Sequence, residues 1–316
     1  MLGSQPDTHA LLRARAGVLR AVRAFFDARG LLEVQTPLMV PCPGIDVHID
    51  AFEVVTGRQR RWLITSPELH MKRLLVAGSG PIYQLGKAFR REECGAQHEP
   101  EFTLLEWYRP QAGAAEVMAD TEALVATLVR AAHGQASLPA APELGRPRID
   151  VSLPWPRMRV DAAVARYVGV PLADLLRDEE KFYLAWIERV EPALAQLSHP
   201  LFLTHWPASM AALARLHPEE PAFADRFEAY VGGMELCNGF GELTDPGEQR
   251  ARFDTELARR HALGKAEYPV DERFLTALEQ GMPRSGGNAL GFDRLLMLLW
   301  GVPTIGEVMA FDFHRA

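Results

Sequence analysis

The sequence of 316 residues lacks the features that mark several large classes of protein. Its three cysteines, Cys42, Cys94 and Cys237, are scattered without a C-x-x-C pair. That spacing argues against a cysteine-based zinc site or a disulfide framework and predicts small buried side chains. No apolar run approaches the length of a membrane span, and the arginines spread through residues 1–20 leave no apolar segment for a secretory signal. The sequence therefore predicts a reduced, cytoplasmic protein without a membrane partner.

The chain also lacks an excess of positive charge. It has 34 lysines and arginines against 41 aspartates and glutamates, a net charge of -7. Proteins that bind a long nucleic acid through its phosphates usually carry a basic excess or a basic face. The hydrophobic share of 48% and the charged share of 24% are those of an ordinary globular protein with a large core. The composition therefore favours a globular protein whose main partner is not a long nucleic acid.

Neither a Walker A loop nor a G-x-G-x-x-G fingerprint is present, so a nucleotide would have to be held in another way. What the chain does have is strand patterns joined locally as hairpins, with helical patterns between them. This order favours an α+β fold with an antiparallel sheet flanked by helices over a doubly wound parallel sheet. We expect a single domain over residues 1–316 with a helical and irregular insertion at about 112–220. The predicted helices are 8–29 (capped by Asp7 or Thr8), 67–77, 113–133, 247–264 and the segment after Gly291; the predicted strands are 31–40, 60–66, 81–90, 101–108, 200–207 and a hairpin at 226–243; and 137–157 is predicted to be irregular.

The most informative segment is FRREECGAQHEPEFTLLEWY, which is predicted to be a strand hairpin. On its first strand Arg90 and Glu92 would point to one face, and on the return strand Phe102, Glu106 and Tyr108 would share a face. Large apolar groups occupy both strand faces, which indicates that both are covered. Charges on a covered face must be paired with each other or with a ligand, and we favour the ligand.

A second segment, RFEAYVGGMELCNGFGEL, carries two carboxylates on either side of a Gly-Gly turn. If the turn closes a hairpin, Glu228 and Glu235 become near neighbours across the strands. Two facing carboxylates repel each other, whereas with a magnesium ion that bridges to phosphate oxygens they form a site. Asn238 and Glu242, at even spacing, could share a face further along the strand.

In the third segment, GGNALGFDRLLMLLWG, Gly291 leads directly into an apolar helix with Arg294 in its first turn. An arginine there is disfavoured by the helix dipole. An anion bound at that point would satisfy both the guanidinium and the helix start, which is the composition of a phosphate site.

Together, and in this order, the three segments resemble the three signature motifs of class II aminoacyl-tRNA synthetases. GLLEVQTPLM, with its proline at Pro37, looks like motif 1, FRREE…HEPEFTLLEWY looks like motif 2, and GFDRLLML looks like motif 3. ITSPELHMKRLL, EPEFTLLEWY and MELCNGFGELTDP look more specifically like the lysyl-tRNA synthetase branch. The resemblance implies the catalytic core of that class and a ligase that converts ATP to AMP and pyrophosphate.

The resemblance also implies a role for each candidate residue. Arg90 would contact the α-phosphate and the substrate carboxylate, and Arg294 would hold the terminal phosphates of a bent ATP. The rest of the ATP site would be Glu92, His98, Phe102 (stacked on adenine), Glu235 and Gly291, with Mg²⁺ carried by Glu228 and Glu235. The amino-acid pocket would comprise Ser66, Glu68, Glu106, Tyr108, Asn238, Glu242 and Ala289, whose negative charge suits a substrate with two amines.

Two features separate this sequence from lysyl-tRNA synthetases. Those enzymes carry an oligonucleotide-binding β-barrel of roughly 100 residues ahead of motif 1, the usual scale of such a domain. Here motif 1 is reached almost at once, so we expect no N-terminal anticodon-binding domain and no anticodon recognition. Ala289 stands where those enzymes tend to have glycine. Both features are similar to truncated lysyl-tRNA synthetase paralogues that attach (R)-β-lysine to a lysine of translation elongation factor P, which implies a diamino-acid substrate and that factor as the acceptor.

The resemblance extends to assembly, because the helix at 8–29 and the strand that contains Pro37 resemble the dimer interface of class II enzymes. We therefore expect a homodimer. In the motif 2 loop the sequence departs from the family, since Arg91 and Glu99 stand where members often have asparagine.

Three alternatives remain open at this point. A lysine–tRNA ligase reduced to its catalytic core would share all the motifs. An asparagine-synthetase-like relative uses an aspartate side-chain carboxylate and would want a basic pocket, whereas Glu68, Glu106 and Glu242 make this one acidic. A regulatory subunit that binds ligands without catalysis typically loses the arginine of motif 2 or motif 3, and here Arg90 and Arg294 are both present.

Overall fold

The computed structural model describes residues 8–316, so Asp7, one of the two predicted helix caps, lies outside the described residues. The helices are α1 (Thr8–Asp27), α2 (Glu68–Val76), α3 (Ala114–His133), α4 (Val160–Tyr167), α5 (Leu172–Leu175), α6 (Glu179–Ala185), α7 (Glu191–Ala195), α8 (Pro246–Ala262), α9 (Glu272–Glu279) and α10 (Phe292–Trp300). The strands are β1 (Leu32–Glu33), β2 (Met39–Val40), β3 (Glu53–Thr56), β4 (Gln59–Leu63), β5 (Ile82–Phe89), β6 (Glu101–Pro110), β7 (Ser137–Leu138), β8 (Ile149–Asp150), β9 (Arg157–Arg159), β10 (Leu201–Pro207), β11 (Phe223–Val231), β12 (Met234–Gly241) and β13 (Ser285–Gly291).

The main sheet has eight strands in the order β1-β5-β6-β13-β12-β11-β10-β9. Its central strands run antiparallel to their neighbours, while β1 joins β5 and β9 joins β10 in parallel at the two edges. Gly232 and Gly233, with φ of 59° and 78°, supply the left-handed turn that joins β11 to β12. The predicted α+β fold with an antiparallel sheet flanked by helices is confirmed.

Both faces of this sheet are covered. On β6, Leu105 and Trp107 join the core formed with α1, α3 and α10. Phe102 and Glu106 turn to the opposite face, on which α2 lies, as the alternation of the strand predicts. Apolar side chains of α2, α8 and α9 form a second core on that side, and α4, α6 and α7 of the insertion enclose a third.

The segment at 31–40 differs from its prediction. It does not form one strand but two short ones, β1 and β2, with Pro37 between them. The proline has no N–H to give to a ladder and fixes its own φ, so the strand cannot continue through it. The predicted irregular stretch at 137–157 holds the short strands β7 and β8, and α9, β3, β9 and β13 were not predicted.

The three cysteines are free, but the predicted burial holds only for Cys237. Cys42 is half-buried, and Cys94 is exposed because it lies in the loop between β5 and β6. Among residues 8–316, no helix combines the length and the apolar character needed to cross a membrane.

Candidate active site

A cavity of about 610 Å³ opens on the face of the main sheet that carries α2. The residues predicted for ATP, metal and amino-acid binding come from distant segments of the chain, and the fold gathers most of them here. Those that line the cavity are Ser66, Glu68, Arg90, His98, Phe102, Glu106, Glu228, Glu235, Asn238, Ala289, Gly291 and Arg294.

One row of paired residues crosses the floor of the cavity. Glu106 of β6 lies opposite Ala289 of β13, Ala289 lies opposite Asn238 of β12, and Asn238 lies opposite Glu228 of β11. Partners in an antiparallel sheet have Cβ atoms about 4.5–5.5 Å apart. A ligand that rests on the methyl group of Ala289 therefore has an amide on one side and a carboxyl group within reach at each end of the row.

Glu106 is held at one end of this row by two hydroxyl groups. Ser66 Oγ donates to its Oε1 at 2.5 Å, and the Tyr108 hydroxyl donates to its Oε2 at 3.1 Å. Burial, and after it the charge of Glu68, raises the pKa of Glu106 to about 8, against the lowering effect of the two hydrogen bonds. A cation bound beside Glu106 would favour the ionised carboxylate and supply the charge that is missing from its surroundings.

Beneath Glu106, a fully buried lysine joins two further carboxylates. Lys72 Nζ lies 2.6 Å from Glu68 Oε1 and 2.5 Å from Glu242 Oε2. Burial alone would lower the pKa of Lys72, but Glu242 and Glu68 raise it above its usual value, so the ammonium is retained. Glu242 Oε1 has no hydrogen-bond partner within the described part of the chain. Two carboxylates thus contact one cation, and with Glu106 as a third carboxyl group the pocket is acidic.

Arg90 and Phe102 form the neighbouring part of the cavity. The Arg90 guanidinium lies 5.1 Å from the centroid of the Phe102 ring, and its Nη1 is 3.4 Å from Glu93 Oε1. The Nε atom of Arg90 is buried and has no hydrogen-bond partner among residues 8–316. A buried donor without a partner costs stability unless a ligand satisfies it, and an anionic oxygen is the natural acceptor for a guanidinium.

Arg294 extends into the cavity from the first turn of α10. Its Nη1 donates to the Glu235 carbonyl at 2.8 Å, and its Nη2 donates to His98 Nε2. Because a guanidinium can only donate, His98 must carry its own proton on Nδ1. A side chain added at Gly291 would lie 3.3–3.5 Å from the Arg294 side chain, so glycine keeps the approach to the helix start open.

The carboxylates of Glu228 and Glu235 both face the cavity, but they are not directly opposite each other. A shift in register between Ala229 and Tyr230 pairs Glu235 with Tyr230 and leaves Glu228 opposite Asn238. Burial, and then the charge of Glu235, raises the pKa of Glu228 to about 8. Two oxygen donors with this excess of negative charge fit a hard divalent cation.

Glu92 is the one predicted residue that the structure does not bring to the site. The strand β5 ends at Phe89, Glu92 has a left-handed φ of 71°, and its side chain is 71% exposed beside Arg91. The prediction that Arg90 and Glu92 share a strand face is therefore wrong, because the chain has left the sheet. Tyr108 and Glu242 lie behind the wall of the cavity, where they contact Glu106 and Lys72 respectively.

The two cations that pair with carboxylates predicted for the site, Lys72 and Arg226, were not predicted. Lys72 stands four residues after Glu68 on a predicted helix, the spacing of an ion pair, so a signal was present. Arg226 stands two residues before Glu228 and shares its strand face; its Nη2 lies 2.5 Å from Glu228 Oε1. In both cases the acidic residue was predicted for the site and its basic partner was not.

Comparison with known proteins agrees with this geometry. The family described as tRNA synthetases class II (D, K and N) matches residues 1–315. An elongation factor P–(R)-β-lysine ligase of Vibrio cholerae is 44% identical over 315 residues, which cover 96% of this chain and 96% of the relative. The ligase of the same name from Proteus mirabilis is 42% identical over 314 residues, which cover 97% of this chain and 96% of the relative. The chain belongs to the class II aminoacyl-tRNA synthetases of the D, K and N group.

Proposed function

We propose that the protein is an ATP-dependent ligase that activates (R)-β-lysine as an aminoacyl-adenylate and transfers it to a lysine side chain of elongation factor P. The observation that carries this proposal is the acidic row of the cavity floor, which begins at Glu106 and lies beside the arginines expected to bind ATP. The names of the full-length relatives support the same activity. We place this reaction in the cytoplasm.

In the first step, the substrate carboxylate attacks the α-phosphorus of ATP in line. The new O–P bond forms as the bond to pyrophosphate breaks, and this step needs positioning and charge compensation rather than a general base. Arg90 compensates the charge that grows on the α-phosphate, and Arg294 holds the phosphates that leave as pyrophosphate. Phe102 offers its ring to the adenine.

Glu228 and Glu235 would hold Mg²⁺ at the phosphates. Their carboxylate oxygens are suitable ligands for Mg²⁺, and the ion would relieve the repulsion between the two carboxylates. The ion pair between Arg226 and Glu228 orients one of them. When bound, Mg²⁺ supplies positive charge at the phosphate oxygens.

In the second step, the neutral amine of the acceptor lysine attacks the carbonyl carbon of the adenylate. An amide bond forms, AMP departs with the electron pair of the broken C–O bond, and the amine loses a proton to solvent. A tRNA hydroxyl would react at the same carbonyl, so the acceptor is decided by what can reach the cavity and not by different chemistry.

Pyrophosphate exchange with ATP and (R)-β-lysine tests the first step. Arg90→Ala should lose on the order of 10²-fold or more in rate, the range typical of a preorganised charge stabiliser. Arg91→Ala is the matched control, because Arg91 is the exposed next residue, does not line the cavity and should leave the rate near normal. Near-normal exchange in Arg90→Ala would contradict the assignment.

The second step is tested with radiolabelled β-lysine and two acceptors offered separately. We expect label on elongation factor P and none on lysine tRNA. Label on the tRNA would identify a minimal lysine–tRNA ligase instead, and absence of exchange altogether would identify a non-catalytic ligand-binding subunit.

A further inference from the structure

A cluster of two histidines and one glutamate lies outside the cavity, where β10 and the β10–β11 connection meet. We propose that His205, His217 and Glu220 bind a transition-metal ion, with Zn²⁺ as the expected metal. One ligand atom of each residue lies within 4.8 Å of the ligand atoms of the other two. None of the three lines the cavity described above, so this site is separate from the one proposed for Mg²⁺.

The backbone at His205 is unusual for a strand. Its φ of 57° is left-handed, and the register between β10 and β11 shifts between Thr204 and Trp206. A bulge of this kind redirects a side chain, and a strained non-glycine residue persists only where the surrounding structure imposes it. Here the result is that the His205 ring meets the His217 ring, with 4.5 Å between their centroids.

The placement of the two ring nitrogens of His205 suits a metal ligand. Its Nδ1 lies 3.0 Å from Thr204 Oγ1, while its Nε2 is directed toward Glu220, 3.9 Å from Oε1. Metal-binding histidines commonly donate one N–H to an oxygen and use the other nitrogen for the ion. Thr204 can play that supporting part here.

Glu220 is already paired with Arg159, at 2.6 Å and 2.9 Å from its two oxygens, and this pair does not exclude a metal. A carboxylate has about four lone-pair sites, so it can keep the guanidinium and still bind an ion. Arg159 also pairs with Asp161, at 3.0 Å. The negative charge of Asp161 offsets part of the positive charge that a metal ion would add beside Arg159.

Two imidazoles, one carboxylate and a water molecule form a common tetrahedral zinc site. Zinc bonds of about 2.0–2.2 Å place the ligand atoms of a tetrahedron roughly 3.4 Å apart. The present spacing of up to 4.8 Å therefore closes with movements of about an ångström, and all three side chains are partly exposed. The set does not depend on cysteine, so the scattered cysteines of the sequence gave no sign of it.

A metal here would fasten the connection between β10 and β11 to the end of β10. That connection also forms part of the active-site wall, because Ala211, Ala212 and Leu213 line the cavity and Ala214 pairs with Glu242. We expect Zn²⁺ to stabilise this wall without taking part in the chemistry.

The test is a calorimetric titration of the metal-free full chain with Zn²⁺ in excess Mg²⁺, which occupies the Mg²⁺ site. The parent protein of this test carries Cys94→Ser, and so do all variants made from it. The substitution is needed because Cys94 Sγ lies 3.9 Å from His314 Nε2 and could bind zinc itself. We expect one equivalent of Zn²⁺ to bind, and His217→Ala and His205→Asn to weaken binding at least 10–100-fold, the range seen even for residues that only support a ligand. Asparagine is chosen at position 205 because it tolerates a left-handed φ.

His199→Ala is the control, since His199 lies outside the cluster, and it should bind Zn²⁺ like the parent. Zn²⁺ should raise the unfolding temperature of the parent and of His199→Ala but not of His217→Ala, and bound Co²⁺ should give a tetrahedral absorption spectrum only in the first two. No zinc binding by the parent, or equal affinity in the parent, His217→Ala and Glu220→Gln, would overturn the proposal. Glu220→Gln decides the matter if His205→Asn does not fold. Pyrophosphate exchange by the zinc-free protein, measured with Mg²⁺ present, should be retained, which separates this test from that of the proposed function.

Discussion

At the scale of single residues, Ala289 stands where the substrate can be distinguished. It lies between Glu106 and Asn238 on the cavity floor. In β-lysine the amino group is one carbon farther from the carboxylate than in α-lysine, while the atom count is the same. Because the carboxylate must stay near Arg90 to react, the site discriminates by where it accepts that amine. The methyl group of Ala289 fills the volume that glycine would leave, which should crowd the α-isomer.

Ala289→Gly should therefore raise activity with α-lysine relative to β-lysine without abolishing the use of ATP. A difference of one methyl group is worth roughly 1–3 kcal/mol, or about 10–200-fold in specificity. The measurement is kcat/KM for both isomers. Ala229→Gly is a matched control, because Ala229 is buried in β11 on the opposite face of the sheet. An unchanged ratio in Ala289→Gly would mean that this residue only packs.

The raised pKa of Glu106 predicts how the stabilisation of the protein by bound β-lysine depends on pH. The pKa of Glu106 in the folded protein, about 8, lies above the ordinary glutamate pKa of about 4.3. The contribution of Glu106 to the free energy of unfolding is therefore complete below about pH 4.3 and is lost as the pH rises through about 8. A bound diammonium substrate favours the ionised carboxylate and offsets that loss. The rise in unfolding temperature caused by β-lysine should therefore grow between about pH 6.5 and 8.5, and Glu106→Gln should reduce this growth. An identical pH dependence in the variant would show that another group is responsible.

At the scale of elements, α2 is fixed to the sheet by an ion pair. Lys72 carries the only positive charge that lies within 2.6 Å of Glu68 and Glu242 in the described chain, and its side chain is fully buried. Lys72→Met keeps much of the volume but leaves the two carboxylates facing each other. Removing one partner of a buried ion pair typically costs about 3–5 kcal/mol.

We expect Lys72→Met to lose about that much stability in urea unfolding. Lys87→Met is the control: Lys87 forms a half-exposed pair with Glu101 at 3.1 Å, and exposed pairs contribute about 0–1 kcal/mol. Adding Glu242→Gln to Lys72→Met should recover part of the loss. Equal stability of the two single variants would contradict the role given to Lys72.

The same elements show what could be predicted from the sequence. The predicted bounds of α2, β5 and β6 agree with the structure to within two residues at each end, α10 begins directly after Gly291 as predicted, and the alternation on β6 placed Phe102 and Glu106 on the right face. Glu92 could not be placed, because nothing in a polar loop marks a left-handed residue that is not glycine. The pairing of Glu228 with Asn238 depends on a bulge at Ala229, and bulges arise from contacts between strands that a single segment does not reveal.

At the scale of the whole molecule, the predicted insertion adds a cluster of ion pairs to the lining of the cavity. Glu179 of α6 lies 3.1 Å from His48 and 2.6 Å from Arg259 of α8, and all three line the cavity. These pairs connect the insertion to α8 and to the segment before β3.

The molecule also carries an unpaired edge that predicts its assembly. β1 is the last strand of the main sheet and contains Leu32, which is 58% exposed; Leu38 and Met39, which follow along the same segment of the chain, are 42% and 47% exposed. An exposed edge flanked by apolar side chains is a surface that a second copy can cover with two-fold symmetry.

We expect a homodimer mass in sedimentation at micromolar concentration, and a monomer when Leu32→Glu and Met39→Glu are combined. Ile187→Glu should leave the dimer intact, because Ile187 is an apolar residue that is 58% exposed and lies in the segment that packs near the opposite edge of the main sheet. A monomeric parent with full activity would refute the expected dimer, because an exposed apolar edge would then have no partner in the working enzyme.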